Sequence, residues 1–439
     1  MGAAAAVAVV VASCSPSAPP PSPAPAAPPA PGPQAPRPAA PAPTAAPTIP
    51  PPPSGTGEPV VRVGLVVGAS SATIAGAAGL SVSDPTGARL AEIPSGEVWR
   101  VTLSGTTGLV ATSPGGAAIA PSEVLELASP DPGALVQVNG RPYRGAVTAL
   151  RVGTGLTVVD RLPLESYLAG VVSAEMGRRS AVEQEALRAQ AIVSRTYALR
   201  NLRRWNAQGF DFYASVADQV YGGAGAETPE GGEAVQVTRG QVLTYGGAPI
   251  DAFFYSTCGG RTAEGTEVFR AADRPYLRSV ADVAPDGSVY CSISPRYRWH
   301  EEWTGEALRA TLRRTLPAAA DVPGGEIREV RDVRVAARTA SGRVGRLSIG
   351  LGGGDVEVEG PSVRRVLTSA SGEILRSAAF TLTVTGAGRR VTRLAVDGAG
   401  AGHGVGFCQW GAVGRSRAGQ DHEHILAAYY PGAVLERLY

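Results

Sequence analysis

The sequence predicts an α+β protein: mixed, mostly antiparallel β-structure around a central helix, preceded by a small all-β module. Three observations carry this. From Val60 to about Leu127, short apolar stretches (VRVGLVV, LSVSD, ARLAEI, VWRVTLS) alternate with Gly, Ser, Asp and Pro turns, the pattern of an antiparallel module. Two more strand-like stretches, YRGAVTALRV and LTVVDRLP, meet through Gly153-Thr154-Gly155 as in a hairpin. Then the period changes. Ser180-Ala-Val-Glu183 reads as a capping box, in which hydroxyl and carboxylate satisfy free backbone N–H groups, and it opens a helix from Ala181 to about Arg204. Along that helix Val182, Ala186, Ala189, Val193 and Tyr197 form an apolar stripe bordered by Leu187, Ala191, Ala198 and Leu202. Its alanines permit close packing. Strands recur at QVLTY, PIDAFFYS, VRDVRVAAR, RLSIGL and FTLTVTG before a Gly-rich loop and short helices. Runs of strands with few helices argue against a doubly wound parallel sheet.

With 439 residues the chain has ample length for a buried core. We divide it into a signal peptide over 1–14, a tether over 15–57, a small β accessory domain over 58–135 and a larger α+β domain over 136–439 that holds the candidate site residues. The 40 basic residues nearly balance 38 acidic ones, so no field of one sign exists to attract nucleic acid. All 40 are Arg, which removes any chemistry that needs a Schiff-base or P-loop lysine.

Residues 1–13 form an apolar run too short to span a bilayer but of signal-peptide length. Val11-Ala12-Ser13 before Cys14 resembles the bacterial lipobox, although no Arg or Lys precedes the run. Cys14 is therefore the expected lipid carrier. Residues 15–53 hold 19 of the 37 prolines and one charge, Arg37, a composition that stays extended. At about 3.1 Å per residue the stretch reaches ~120 Å. The expectation is an extracytoplasmic, membrane-anchored lipoprotein, with the remaining cysteines in an oxidising compartment.

Glu175 follows the apolar segment Tyr167 to Val172 and precedes the capped helix. A carboxylate in apolar surroundings has a raised pKa and can hold a proton near neutrality, ready to donate it to a leaving oxygen. Downstream, Gly400, Gly402, Gly404 and Gly406 flank His403, giving a loop whose backbone lets a ligand come close. No acidic residue lies where a dinucleotide fingerprint requires one.

Together these segments resemble the stage II sporulation protein D family, which includes the amidase enhancers. The likeness rests on Leu162-Pro-Leu-Glu165-Ser-Tyr167 through Glu175-Met, Glu185 through Gln190 to Arg195-Thr-Tyr197, and Asp218-Gln219-Val-Tyr221-Gly-Gly223. It continues in Tyr255-Ser256-Thr-Cys258-Gly-Gly260, Pro275-Tyr-Leu277 and His403-Gly-Val-Gly-Phe-Cys408-Gln409-Trp. Gly177 and Arg188 depart from the family pattern, at places where proline and lysine are usual.

The resemblance implies a peptidoglycan lytic transglycosylase that cuts glycan strands, preferably ones stripped of stem peptides, with Glu175 as sole acid and base. One carboxylate suffices when the attacking hydroxyl belongs to the sugar itself. It also implies cleft roles for Arg195, Tyr197, Gln219, Tyr221, Ser256, His403 and Gln409. No cofactor is required. Some relatives bind zinc near this loop, so for Cys258, Cys291 and Cys408 three arrangements stay open: zinc on three thiolates with His403 or a water, one disulfide with a free thiol, or three free thiols. His422 and His424 read as surface residues. The rival expectation is a non-catalytic wall-binding protein that enhances an N-acetylmuramoyl-L-alanine amidase.

Overall fold

The computed structural model describes residues 57–439 apart from 120, 270–272 and 389. The expected signal segment with Cys14, and the tether up to residue 56, lie outside the described residues. The protein is α+β, with antiparallel strand pairing dominant.

Val60–Ala69 pairs with Gly155–Pro163, which pairs in turn with Ala146–Val152 through a two-residue connection, Gly153-Thr154, within the expected Gly153-Thr154-Gly155 turn. Val124–Ala128, Leu80–Ser83 and Arg89–Ile93 extend this sheet on one side, and the short strand Phe212–Tyr213 adds to its other edge in parallel. A five-stranded sheet runs Gly108–Thr112, Trp99–Ser104, Ser71–Gly76, Val136–Val138, Arg141–Tyr143. The described part of 58–135 is all-β, as its alternation predicts. It shares both sheets with residues 136–163, and one hydrophobic core runs from Val61 to Tyr430. Strands from both sides of residue 135 thus belong to the same two sheets, which gives the short strands the pairing that an isolated hairpin lacks.

Helix α1, Leu164–Met176, follows directly on the last of these strands. In sequence this segment stands out only as apolar. Its buried positions Leu164, Tyr167, Leu168, Val171, Val172 and Met176 do repeat with helical spacing, but its start carries no side-chain cap, only Pro163. The free N–H groups of the first turn go instead to the lead-in: Leu164 donates to the Pro59 carbonyl and Glu165 to the Glu58 carboxylate. Gly177, at φ +66°, ends the helix.

Both halves of the Ser180/Glu183 capping box form, opening a single 3₁₀ turn over Ala181–Glu183. Helix α2 then runs Gln184–Arg200, so Val182 belongs to the turn and is exposed while Ala186, Ala189, Val193 and Tyr197 are buried. With its neighbours α1 and α3 (Pro229–Val237), α2 is the expected central helix.

Residues from Arg298 to Ala399 fold around a second core. Two three-stranded sheets, one of Arg298–Thr304, Arg390–Ala399 and Phe380–Ala387 and one of Val330–Arg338, Val344–Leu351 and Gly354–Glu359, enclose Trp299, Trp303, Leu308, Leu347 and Val396 with the helix Gly305–Thr315. This insertion leaves the main body shortly after Cys291 and returns shortly before Cys408.

Candidate active site

A cleft of about 740 Å³ is lined by Glu175, Arg179, Tyr197, Arg204, Asp218, Val220, Phe253 to Ser256, Phe269, Arg296, His403, Gln409 and Trp410. Glu175 stands in the last turn of α1, half-buried. Its Oε1 accepts the Val220 N–H at 2.9 Å and its Oε2 accepts the Gln409 amide at 3.1 Å. Both partners are neutral. Burial pushes its pKa above the ordinary glutamate value, outweighing the two hydrogen bonds that favour the carboxylate. The C-terminal end of a helix disfavours a negative charge as well.

Gln409 is placed by a chain of local decisions. The pair Phe254–Tyr255 lies parallel to Phe407–Cys408, and Gly406 permits that approach, since a Cβ there would lie 2.3 Å from the Phe253 carbonyl oxygen. Cys408 then caps the helix Gln409–Arg417, its sulfur accepting the Gly411 N–H. Gln409 is thereby set in the first turn, with its amide also within reach of Gln190 on α2.

The second carboxylate of the cleft, Asp218, is committed elsewhere. It accepts the Tyr197 hydroxyl (3.0 Å), Arg204 (3.2 Å), the Trp205 indole N–H (2.8 Å) and the Tyr213 N–H (2.9 Å). Its lone pairs are spent on holding the loop 205–218. Tyr197, itself in the wall, donates to Asp218 and accepts from Arg204. Ser256 lines the cleft, its hydroxyl 3.2 Å from that of Thr257.

His403 lies in the wall with both ring nitrogens engaged. Nε2 donates to the Phe254 carbonyl (2.8 Å) and Nδ1 accepts the Val405 N–H (3.1 Å). This fixes the neutral tautomer, and burial depresses its pKa to about 4. It offers the cleft a ring face packed among Phe253, Tyr255 and Phe269, not a proton.

Three expected cleft residues sit behind the wall instead. Arg195 is fully buried in a fork with Glu165 (2.8 and 2.6 Å) and reaches the carbonyls of Val235 and Gln241. Gln219 is buried against Tyr167 and the Ser194 carbonyl. The Tyr221 hydroxyl donates to the buried Asp160 at 2.9 Å, and its ring fills the space left by Gly170. These residues share motifs with the cleft residues because they hold the elements that form it.

A family model described as "SpoIID: Stage II sporulation protein" matches residues 152–245, which include α1, α2 and the Asp218 loop. Stage II sporulation protein D of Bacillus subtilis (strain 168) is 30% identical over 299 residues, 63% of this chain and 75% of that protein. The chain belongs to the stage II sporulation protein D family. An uncharacterized protein of Brachyspira hyodysenteriae is 30% identical over 298 residues, 67% of this chain and 72% of its own. The amidase enhancer of Bacillus subtilis (strain 168) is 26% identical over 294 residues, and the match spans 40% of its length. A domain of unknown function (DUF8618) matches residues 289–406, which contain the insertion.

In this family member the three body cysteines converge. Cys258, Cys291 and Cys408 are buried free thiols, and Asp282 joins them. His403 is not of this group, and its fourth member is the carboxylate of Asp282. His424 is exposed as expected, whereas His422 is half-buried and hydrogen-bonded to Glu185 at 2.7 Å. The sequence reading missed Arg179, whose guanidinium lies over the Trp410 ring at 4.6 Å, together with Arg204, Arg296 and the Phe253–Phe269 stack. Their only signal was proximity to motif residues.

Proposed function

We propose that the cleft binds a glycan strand of the bacterial cell wall and that Glu175 cleaves it as a lytic transglycosylase. The observation that carries this reading is the pairing of Glu175 with neutral donors only, beside a second carboxylate that four donors already occupy. In its protonated form, which burial favours, Glu175 gives its proton to the glycosidic oxygen between N-acetylmuramic acid and N-acetylglucosamine as that C–O bond breaks. The resulting carboxylate then takes the proton of the muramyl C6 hydroxyl as its oxygen bonds to C1, which closes a 1,6-anhydro ring without water. The nucleophile is already attached to the substrate, so the second carboxylate of an ordinary glycosidase is dispensable.

Aromatic rings at Phe253, Phe254 and Trp410 suit sugar faces. Removal of a stem peptide exposes the lactyl carboxylate of muramic acid, and the cleft offers Arg179, whose buried Nε has no partner, with Arg296. This favours denuded strands. In this reading the chain works outside the cytoplasm, held to the membrane by acylated Cys14 through the Pro-rich tether, with residues from 58 onward reaching the wall.

The test is a digest. Full-length protein is expected to release 1,6-anhydro-muramyl ends from denuded glycan, and Glu175→Gln to lower the rate by about 10²–10⁴-fold with the fold retained. Cleavage by the variant at the wild-type rate, or reducing-end muramic acid as the sole product, contradicts the mechanism. Similarity to an amidase enhancer favours a second reading, a wall-binding protein that raises an amidase's activity. Amidase stimulation undiminished in Glu175→Gln, with no glycan product from either form, would establish it.

A further inference from the structure

Four arginines are buried among the described residues, and three of them grip a carboxylate. Arg62 holds Asp211, Arg195 holds Glu165 and Arg415 holds Asp282. Arg343, the fourth, has no carboxylate partner among the described residues, and the residues outside them include no Asp or Glu at all. Its Nη1 donates to the Ser341 hydroxyl (3.0 Å) and its Nη2 to the carbonyls of Arg261 (2.8 Å) and Cys258 (3.4 Å). Those contacts satisfy hydrogen bonds but leave the charge uncompensated. A buried cation in that state is strongly destabilising unless something supplies the opposite charge.

Beside Arg343 lies a cavity of about 40 Å³ between the insertion and the glycine-rich loop, lined also by Arg364, Glu267 and His403. Arg364 is a second guanidinium with no carboxylate. Its Nε donates to the Leu375 carbonyl (2.7 Å) and its Nη2 to the Arg376 carbonyl (2.9 Å), while Nη1 makes no hydrogen bond among the described residues. Burial, with Arg365 beside it, lowers its pKa to about 10. Glu267 is turned to Ser341, accepting its N–H (2.9 Å) and its hydroxyl, so it reaches Arg343 only through that hydroxyl. His403 is neutral. The lining therefore carries two positive charges against one negative, a surplus of one. Gly404 lets the loop close over the guanidinium, since a Cβ there would lie 2.8 Å from Nε of Arg343.

We propose that this cavity binds one small monovalent anion, a halide or a short carboxylate, held by the guanidiniums of Arg343 and Arg364. The surplus of one charge sets the valence. A water needs about 10–15 Å³ of such space, so the cavity takes an occupant of only a few heavy atoms. Arg343 and Arg364 belong to the insertion, whereas Glu267 and His403 belong to the main body, so the anion fastens one to the other. His403 lines both this cavity and the cleft. The occupant thus supports the cleft wall from behind.

The experiment uses the full chain with chloride as the probe, at constant ionic strength held by gluconate, an anion too large for the cavity. Raising chloride from about 5 to about 500 mM should raise the thermal unfolding temperature by about 2–4 °C. Arg364→Met should abolish that dependence. Arg365→Met removes an exposed charge outside the lining and should keep it. Crystals soaked in bromide should show an anomalous peak in the cavity, beside Arg343 and Arg364. Unfolding temperatures that ignore chloride, or that follow it equally in Arg364→Met, overturn the proposal. A bromide peak without chloride dependence in solution marks an adventitious ion only and overturns it too, as does equal loss of the dependence in Arg365→Met. Should Arg364→Met fail to fold, the chloride series and the bromide map of the wild-type chain decide alone. None of these readouts involves glycan cleavage, so the site and the role of Glu175 are tested separately.

Discussion

Helix α1 carries a glutamate at each end, and the two have opposite fates. Glu165, in the first turn, is gripped by the Arg195 fork, the Tyr439 hydroxyl (2.6 Å) and the Gly240 N–H. Burial alone would raise its pKa, but Arg195 reverses the balance and holds it below the ordinary value of 4.5. Glu175, in the last turn, meets two neutral donors and no cation, and burial prevails. The helix dipole works in the same two directions, favouring an anion at the start and opposing it at the end. Equal residue types on one rigid element are thus shifted in opposite directions, Glu165 by its charged partner and Glu175 by burial without one.

Removing the carboxylate from the first end should have the largest effect. Glu165→Gln leaves the Arg195 guanidinium buried with no counter-charge, and the expected loss is about 3–5 kcal/mol, read as a fall in the denaturant midpoint. The contribution of Glu165 is present above the ordinary glutamate pKa and is lost as pH falls through its depressed value, so wild type and variant should converge in acid. Equal midpoints at neutral pH would show that the fork does not hold the fold.

A smaller effect is expected from sharpening the second end. Gln409→Met deletes the amide that favours the Glu175 carboxylate, and should move the alkaline limb of the pH–rate profile upward by about one pH unit. A limb that moves downward, or stays, would mean that Gln409 does not contact the acid. Smallest of all is the stability change of Glu175→Gln. The folded state holds the Glu175 proton more tightly than the unfolded chain, so a charging cost grows as pH rises from 4.5. The variant is spared that cost, and at pH 7 thermal unfolding should show it equal to or slightly more stable than wild type, whereas a clear loss would mean that the carboxylate is load-sharing in the fold.

How far the sequence shows this contrast depends on what each signal reports. The hairpin at Gly153-Thr154, the Ser180/Glu183 box and the buried stripe of α2 were legible because local chemistry dictates them. Helix α1 was not, since it begins at an uncapped proline and its cap comes from Glu58, far away in sequence. The motifs contained both Glu175 and Arg195 but not the layer each occupies. Only packing shows that Arg195, Gln219 and Tyr221 stand behind the wall that Tyr197, Ser256 and Gln409 form. That Asp282 joins the cysteines was hidden for a similar reason, as a single aspartate 24 residues after Cys258 has no spacing that marks it as a neighbour of theirs. Residues from Arg298 to Ala399 read as strands, while their separate core emerges only from which strands pair.

The most direct test is a carboxyl titration by carbon-13 NMR on glutamate-labelled protein, with Glu165→Gln and Glu175→Gln supplying the assignments. Glu175 should titrate above 4.5 and Glu165 below it. The reverse order, or a Glu175 that releases its proton at or below the ordinary value, would contradict the account of this carboxyl group as the proton donor.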